Sequence, residues 1–153
     1  MLAKHDHGLW FTTAQLKISQ SKSDITGRPS IIEHRMAGGF GPPQHVHHDE
    51  DETFYILEGQ FRFESDGVVR HLGAGEAIHL PRGIPHGFKV TSPEGGRCLT
   101  ITRGGFEAMV RDASRPATDD GLPDQSEPTP EMQAQLARIC HAHGIDLVGP
   151  PIV

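Results

Sequence analysis

Short apolar runs alternate with turn sequences at regular intervals from about residue 29 to residue 103. The pair Asp66 and Gly67 is typical of a two-residue hairpin turn, and turns rich in Gly and Pro separate the later runs. No segment between these runs has room for a crossover helix, so a parallel sheet is excluded. The region is therefore predicted to be an antiparallel sandwich or barrel with strands at residues 30–36, 52–59, 60–65, 68–72, 77–81, 86–91 and 97–103.

Helical patterns follow this region. Residues 106–113 place Phe106, Met109 and Val110 at helical spacing. A second helix is predicted to begin after the N-cap Thr129 and to stop at Gly144. The face of this helix that we expect to pack on the barrel carries Met132, Leu136, Ile139 and His143. The intervening residues 114–130 are rich in Pro, Asp, Ser and Thr, and they predict an exposed linker or an ordered loop.

Composition and charge narrow the function classes. The chain of 153 residues fits one domain, and 18 Gly and 12 Pro favour many turns over a helical bundle. A net charge of −6 provides no basic stripe to neutralise phosphates, which argues against a nucleic-acid partner. No run approaches the roughly 18 apolar residues of a membrane span. The polar N-terminal sequence does not match a signal peptide, so we expect a cytoplasmic protein with Cys98 and Cys140 as reduced thiols.

The sequence HVHHDEDE, residues 45–52, holds three imidazoles and four carboxylates around one valine. Residues two apart on a strand face the same way, so His45 and His47 are predicted to point inward while Val46 and His48 point outward. The next strand would bring an inward carboxylate alongside. Asp49, Glu50 and Asp51 are interpreted as a solvated loop, which is the common fate of a run of charges.

Glu52 is the carboxylate that we expect to face the two histidines. It has the same strand parity as Phe54 and Ile56, which form an apolar inner face. Asp51, one residue closer to His47, is an alternative. His86, at the start of a strand after the RGIP turn, would complete the group from a neighbouring hairpin.

Two longer spacings carry a resemblance to a known family. The first, G(X)5HXH(X)3–4E(X)6G, is matched by Gly39, His45, His47, Glu52 and Gly59. The second, G(X)5PXG(X)2H(X)3N, is matched up to its last position by Gly75, Pro81, Gly83 and His86, with Val90 in place of the asparagine. With both motifs at a normal separation, roughly residues 30–103 resemble a single-domain cupin of the cupin 2 type.

The resemblance implies an all-β cupin double-stranded β-helix, also called a jelly-roll barrel, with a short helical C-terminal tail. We expect the barrel at residues 1–104, with its motifs in 30–103, and the helical tail and linker packed on it at 105–153. The implied metal ligands are His45, His47, Glu52 and His86. Three neutral imidazoles and a carboxylate suit one divalent transition metal, with Fe, Mn, Ni, Co, Cu and Zn all open.

Other side chains are candidates for a substrate pocket. His34 shares a face with Ile32 and Met36, and a satisfied core histidine is an equal interpretation. The side chain of His79 could lie on either face of its strand. The complete set of pocket candidates is His34, Met36, Phe54, Phe61, Phe63, His79 and Phe88. Hydrophobic core is the stronger interpretation for each phenylalanine taken singly, and His48 and His71 are expected at the surface.

Within cupins, the HXH(X)4E spacer is similar to that of quercetin dioxygenase-like proteins. This resemblance implies a dioxygenase that uses O2 on an aromatic, flavonol-like or enolic small molecule, with Glu52 as the catalytic base that takes the enolic proton. It also implies a homodimer. Two alternatives stay open: a non-catalytic metal-dependent sensor or binding module, and a cupin isomerase or decarboxylase that needs no O2.

Overall fold

The structure is a computed structural model, and it describes residues 6–153. The strands within that range are β1 (Leu9–Phe11), β2 (Ala14–Gln20), β3 (Ser30–Met36), β4 (Pro43–His47), β5 (Glu52–Glu58), β6 (Phe61–Ser65), β7 (Val68–Leu72), β8 (Ala77–Leu80), β9 (His86–Val90), β10 (Gly96–Thr102), β11 (Arg115–Pro116) and β12 (Ile145–Pro151). The helices are α1 (Phe106–Ala113) and α2 (Pro130–Ala142).

The strands form two antiparallel sheets. One has seven strands in the order β11-β1-β2-β3-β10-β5-β8, and the other has five in the order β12-β4-β9-β6-β7. Alternate residues of β3 and β10 are buried, as expected for strands with one face on a core and one face toward solvent. The all-β antiparallel prediction is confirmed.

An aromatic cluster fills part of the space between the sheets. The rings of Phe54 and Phe63 pack edge to face with centroids 5.0 Å apart, and Phe88 lies 5.3 Å from Phe54. Phe61 and Phe88 join the same cluster at a centroid distance of 6.0 Å. All four side chains are at most 5% exposed. Such rings contribute about 0.5–1.5 kcal/mol per pair beyond their buried area.

The strands at the ends of the chain escaped the sequence analysis. β12 runs along β4, where Ile145 pairs with His47 and Leu147 with His45, so the C-terminal strand flanks the two histidines. The Gly and Pro residues of β12 do not predict a strand. Pro has no backbone N–H to donate to the strand ladder, and in sheets it is confined to edges and irregular positions. β12 is an edge strand, and its register shifts at Gly149 and Pro151.

The two helices lie where the sequence predicts them. The Thr129 hydroxyl accepts a hydrogen bond of 3.2 Å from the Met132 amide, and Gly144 adopts a φ of 77° just after α2 ends. The predicted packing face of α2 was wrong in part. Met132 is 55% exposed, and Cys140 is the buried residue of this helix. Residues 130–135 of α2 are exposed, whereas Leu136 and Ile139 are partly buried and pack against the core.

The segment between the helices is ordered along the edge of the larger sheet. β11 pairs with β1, and the Trp10 indole donates a 3.0 Å hydrogen bond to the Gly121 carbonyl. Gln125 donates from its side-chain amide to the Thr13 carbonyl at 2.8 Å. The segment thus covers an edge that would otherwise present unpaired backbone groups.

The proposed boundary at residue 104 stays a prediction, and residues 1–5 of the predicted barrel lie outside the described residues. Within residues 6–153, no helix combines the length and apolarity needed to cross a membrane. Cys98 and Cys140 are both buried and free.

Gly59, the last residue of the first motif, is expected to be among the least replaceable glycines. Its φ is +85°, and an added Cβ would lie 2.5 Å from the Gly95 carbonyl oxygen. Gly75 has a similar φ of +86° with no atom within 4 Å of an added Cβ. We expect Gly75→Ala to cost about 1–2 kcal/mol through its left-handed backbone, and Gly59→Ala to cost more because of the clash. Urea denaturation of both variants measures this difference, and equal losses would contradict it.

Candidate metal centre

Four side chains from three strands converge between the two sheets. His45 and His47 project from β4, and His86 begins β9, where it pairs directly with His45. Glu52 begins β5 in the opposite sheet. The structure brings together one ligand atom from each of these residues so that all lie within 4.8 Å of one another. The pairing of β4 with β9 therefore brings His86 beside residues that are distant from it in the sequence.

The carboxylate of Glu52 faces the imidazoles. Its Oε1 atom lies 3.3 Å from His86 Nε2 and 3.7 Å from His47 Nε2. The His45 and His86 rings are 4.5 Å apart at their centroids, and His47 and His86 are 5.5 Å apart and stacked. His47, Glu52 and His86 are almost fully buried, while His45 is partly exposed.

The ligand atoms lack ordinary partners. Among the described residues, His47 Nε2, Glu52 Oε1 and His86 Nε2 are buried without a hydrogen-bond partner. Buried polar atoms are nearly always paired, so three orphans that face one another call for an explanation such as an ion. A set of three nitrogens and one oxygen is a donor set that first-row divalent metals accept. The residues present therefore fit a metal ion.

Hydrogen bonds behind two of the imidazoles set their tautomers. His45 Nδ1 donates to the Pro43 carbonyl at 2.8 Å, and His47 Nδ1 donates to Glu50 Oε2 at 3.1 Å. A carbonyl and a carboxylate can only accept, so the proton of each ring lies on Nδ1. The lone pair of each Nε2 is then directed away from these partners, which is the usual arrangement behind a metal-binding histidine.

The electrostatics favour an ionised carboxylate among imidazoles. Burial would raise the pKa of Glu52, but His47, His86 and His45 outweigh it and hold that pKa at about 2. Burial, assisted by His86, lowers the pKa of His45 to about 4. For His47, burial acts in the same direction, but Glu52 and Glu50 outweigh it and raise the pKa above its ordinary value. Glu52 is therefore a carboxylate and His45 a neutral ligand at neutral pH.

The solvated-loop interpretation was wrong for Glu50. Its side chain is fully buried and accepts hydrogen bonds from His47, from the Gly104 amide at 3.0 Å and from the Phe106 amide at 2.9 Å. Asp49 and Asp51 are less buried, and Asp51 accepts a 2.9 Å hydrogen bond from the Arg82 amide. Strand parity carries no information here, because β4 ends at His47 and residues 48–51 lie between strands.

The outward orientation predicted for Val46 does not leave it in solvent, because this residue is only 5% exposed. His48 is exposed as expected and lies 2.9 Å from Asp146 of β12, which borders β4.

The pocket candidates separate into two groups. His79 is exposed on the outer face of β8 and lies 3.6 Å from Asp51. It is therefore not part of the interior between the sheets. The other candidates are buried between the sheets: His34, Met36, Phe54, Phe61, Phe63 and Phe88. Their contact with a substrate stays a prediction.

Phe106 is a neighbour of the centre that the sequence analysis treated only as helix core. Its ring lies 5.7 Å from the His47 ring and stacks on His34 at 6.0 Å. His34 is hydrogen-bonded to the Thr100 hydroxyl at 2.9 Å, and burial lowers its pKa to about 4, so it is neutral. The helical spacing of Phe106 indicated burial, but nothing in it indicated what the ring would cover.

Comparison with known proteins supports the fold and identifies one domain of the chain. The family model described as a cupin domain matches residues 32–102. The chain is 32% identical over 100 residues to quercetin 2,3-dioxygenase of Bacillus subtilis, and 31% identical over 72 residues to acireductone dioxygenase of a Sulfurihydrogenibium species. These alignments cover 65% and 43% of this chain but only 30% and 40% of the two relatives.

A solved structure supports the same fold over most of the chain. The cupin 2 conserved barrel domain protein of Salinispora arenicola superposes with a TM-score of 0.55 at 21% identity, covering 73% of this chain and 93% of that one. The two antiparallel sheets, the matching family model and this structural likeness agree with one another. Residues 32–102 of this chain therefore form a cupin domain.

Proposed function

We propose that this chain is a metal-dependent enzyme, a dioxygenase that acts on an aromatic, flavonol-like or enolic small molecule. The observation that carries the proposal is the group of buried, unpartnered ligand atoms on His47, Glu52 and His86, with His45 beside them. The similarity to two dioxygenases supports the reaction class. Because the chain spans less than half of each of those relatives, their activities support this proposal without deciding it.

In this proposal His45, His47, Glu52 and His86 hold one divalent transition metal, with Fe, Mn, Ni, Co, Cu and Zn as the candidates. When bound, the metal would supply Lewis acidity that makes a neighbouring enol hydroxyl more acidic. The chain's own residues would position the substrate, move its proton and keep water away from it.

Glu52 is the residue proposed to take the enolic proton. It is ionised at neutral pH, and its Oε1 atom has no hydrogen-bond partner among the described residues. A carboxylate whose pKa is about 2 is a weak base toward an ordinary hydroxyl group. It becomes effective only toward an enol that is already acidified, which restricts its action to a substrate placed at this centre.

The side chains around the centre would exclude water. Phe54 follows Glu52 by two positions on β5, and Phe88 follows His86 by two positions on β9, so both rings share the face of a ligand. The ring of Phe106 lies 5.7 Å from that of His47. An apolar surround of this kind protects an electron-rich enolate from protonation by solvent.

The test is oxygen uptake by protein loaded separately with each candidate metal, with a flavonol and with an acyclic enediol as substrates. We expect O2 consumption that requires both metal and substrate. The absence of uptake with every metal and substrate would contradict the dioxygenase. Equal turnover under strict anaerobiosis would select the isomerase or decarboxylase, and a tightly bound ligand recovered unchanged in air would select the sensor.

A homodimer is also part of the proposal, on the resemblance to cupins alone. Light scattering of the purified protein at several concentrations measures it, and a monomer mass throughout would contradict it. A cytoplasmic location stays a prediction from the sequence.

A further inference from the structure

The buried carboxylate of Glu50 lies between the end of β4 and the start of α1. Both of its oxygens are used: Oε1 accepts from the Gly104 amide, and Oε2 accepts from the Phe106 amide and from His47 Nδ1. Its side chain is 0% exposed, and that of His47 is 2% exposed. Three N–H donors on one carboxylate leave little freedom for either oxygen.

A buried carboxylate needs a compensating reason to be present. Removing it from water costs several kcal/mol of folding free energy. Ion pairing and hydrogen bonds must offset that cost. Among the ion pairs of residues 6–153, the partner of Glu50 is the His47 imidazole, whose other nitrogen faces Glu52. Glu50 therefore acts on the ring that the proposed metal would bind, and it does so from the far side.

The turn at residues 104–106 packs closely against Glu50 and the end of α2 because it begins with two glycines. A Cβ on Gly104 would lie 2.8 Å from the Glu50 Cβ, and a Cβ on Gly105 would lie 2.1 Å from the His143 carbonyl oxygen. This close approach places the Phe106 amide on Glu50 and the Phe106 ring against His47. Glu50 thus joins the metal-facing histidine and the aromatic ring that covers it.

We propose that Glu50 is a positioning residue for metal binding, which holds His47 with its Nε2 lone pair toward the centre and anchors the turn that seats Phe106. The inference rests on the proposed metal centre. It does not depend on which reaction that centre catalyses. Partners of this kind raise the basicity of the histidine and fix its orientation, and their loss typically weakens metal binding by about 10- to 100-fold.

Glu50→Gln is the sharpest variant, because it keeps the size of the side chain and removes one acceptor. An amide offers one oxygen and one NH2 group, whereas three N–H donors converge on both oxygens of Glu50. With the amide oxygen at the Oε2 position, the NH2 group faces the Gly104 amide donor. With the amide oxygen at the Oε1 position, the NH2 group faces both the Phe106 amide and His47 Nδ1. In the second case His47 must carry its proton on Nε2, where it blocks the metal.

The measurement is metal affinity by competition with a chromophoric chelator, using Co²⁺ and Zn²⁺ on the full chain. We expect Glu50→Gln to bind both metals about 10- to 100-fold more weakly than wild type, and the visible spectrum of its Co²⁺ form to change. Asp51→Asn is the matched control, since it neutralises a less buried carboxylate of the same loop, and its affinity is expected to stay within about twofold of the wild-type value.

Circular dichroism and melting of the metal-free proteins separate positioning from folding. A purely structural role would lower the melting temperature and leave the affinity of the folded protein unchanged. Glu50→Asp, which keeps both acceptors on a shorter side chain, is expected to bind more tightly than Glu50→Gln. If Glu50→Gln does not fold, an affinity for Glu50→Asp equal to that of wild type overturns the inference.

The outcomes also distinguish this inference from the proposed function. Wild-type affinity in folded Glu50→Gln, or an equal loss in Asp51→Asn, overturns the role of Glu50 alone. Metal binding without oxygen uptake overturns the dioxygenase and leaves the role of Glu50 intact. A wild-type protein that binds none of the metals overturns both.

Discussion

His45→Ala is expected to weaken the binding of divalent transition metals by about 100-fold or more, since removing a ligand should exceed the roughly 10- to 100-fold effect of removing a ligand's partner. The His45 ring is neutral at neutral pH, with a pKa of about 4, and its Nδ1 proton is held by the Pro43 carbonyl. Its Nε2 atom is therefore available without loss of a proton. Isothermal titration calorimetry of the metal-free protein measures the change.

The matched control for this variant is His48→Ala, which removes an imidazole from the same run of histidines. His48 is 53% exposed at its side chain and bonds to Asp146, away from the centre. We expect its metal affinity to equal that of wild type. Similar losses in the two variants would mean that the run binds metal diffusely, and this would contradict the assignment of His45. Because His45 is only partly buried, both metal-free variants should fold.

Glu52→Gln is expected to reduce turnover by about 10²- to 10⁴-fold, the usual contribution of a general base, while some metal binding persists. The amide preserves the shape of the side chain and one oxygen donor, but it cannot take a proton from an enol. Steady-state oxygen uptake at saturating metal measures kcat, and chelator competition measures the metal separately. Wild-type turnover in the metal-loaded variant would reduce Glu52 to a ligand without a role in proton transfer.

A second variant guards against misinterpretation of this result. Glu58→Gln changes a glutamate at the other end of β5, where its carboxylate bonds to Arg97 on the outer face of the sheet. We expect full activity from it, because that surface lies away from the ligands. A loss of turnover in Glu58→Gln as large as in Glu52→Gln would show that the strand tolerates no glutamate substitution, and the assignment of a base would then fail.

Most of the central strands and three of the four candidate ligands were accessible from sequence for a common reason. Alternation on a strand is a strictly local geometry, so the parity of His45, His47 and Glu52 could be deduced once the strands were located. His86 was added from its position after the RGIP turn and from the family motif, because parity cannot show that its strand pairs with that of His45. The edge strand β12 was missed because pairing with β4 overrides its weak local preference.

Glu50 illustrates where local reasoning ends. A carboxylate in a short acidic loop is usually solvated, and the sequence holds no mark that distinguishes Glu50 from Asp49 or Asp51. Its burial depends on the turn at residues 104–106, which lies more than 50 positions away and supplies two amide donors. His79 was undecided for a similar reason, since the face of β8 that turns inward is set by its pairing with β5.

By itself, the sequence determined that this chain forms short antiparallel strands and that His45, His47 and Glu52 face one side of them, because turn chemistry and strand parity act over a few residues. Only the tertiary structure decided which groups contact those side chains. It buried Glu50 beneath His47, turned His79 outward and laid Phe106 against the centre. Those placements depend on contacts between segments that are distant in the sequence. A pattern over a few residues does not contain them.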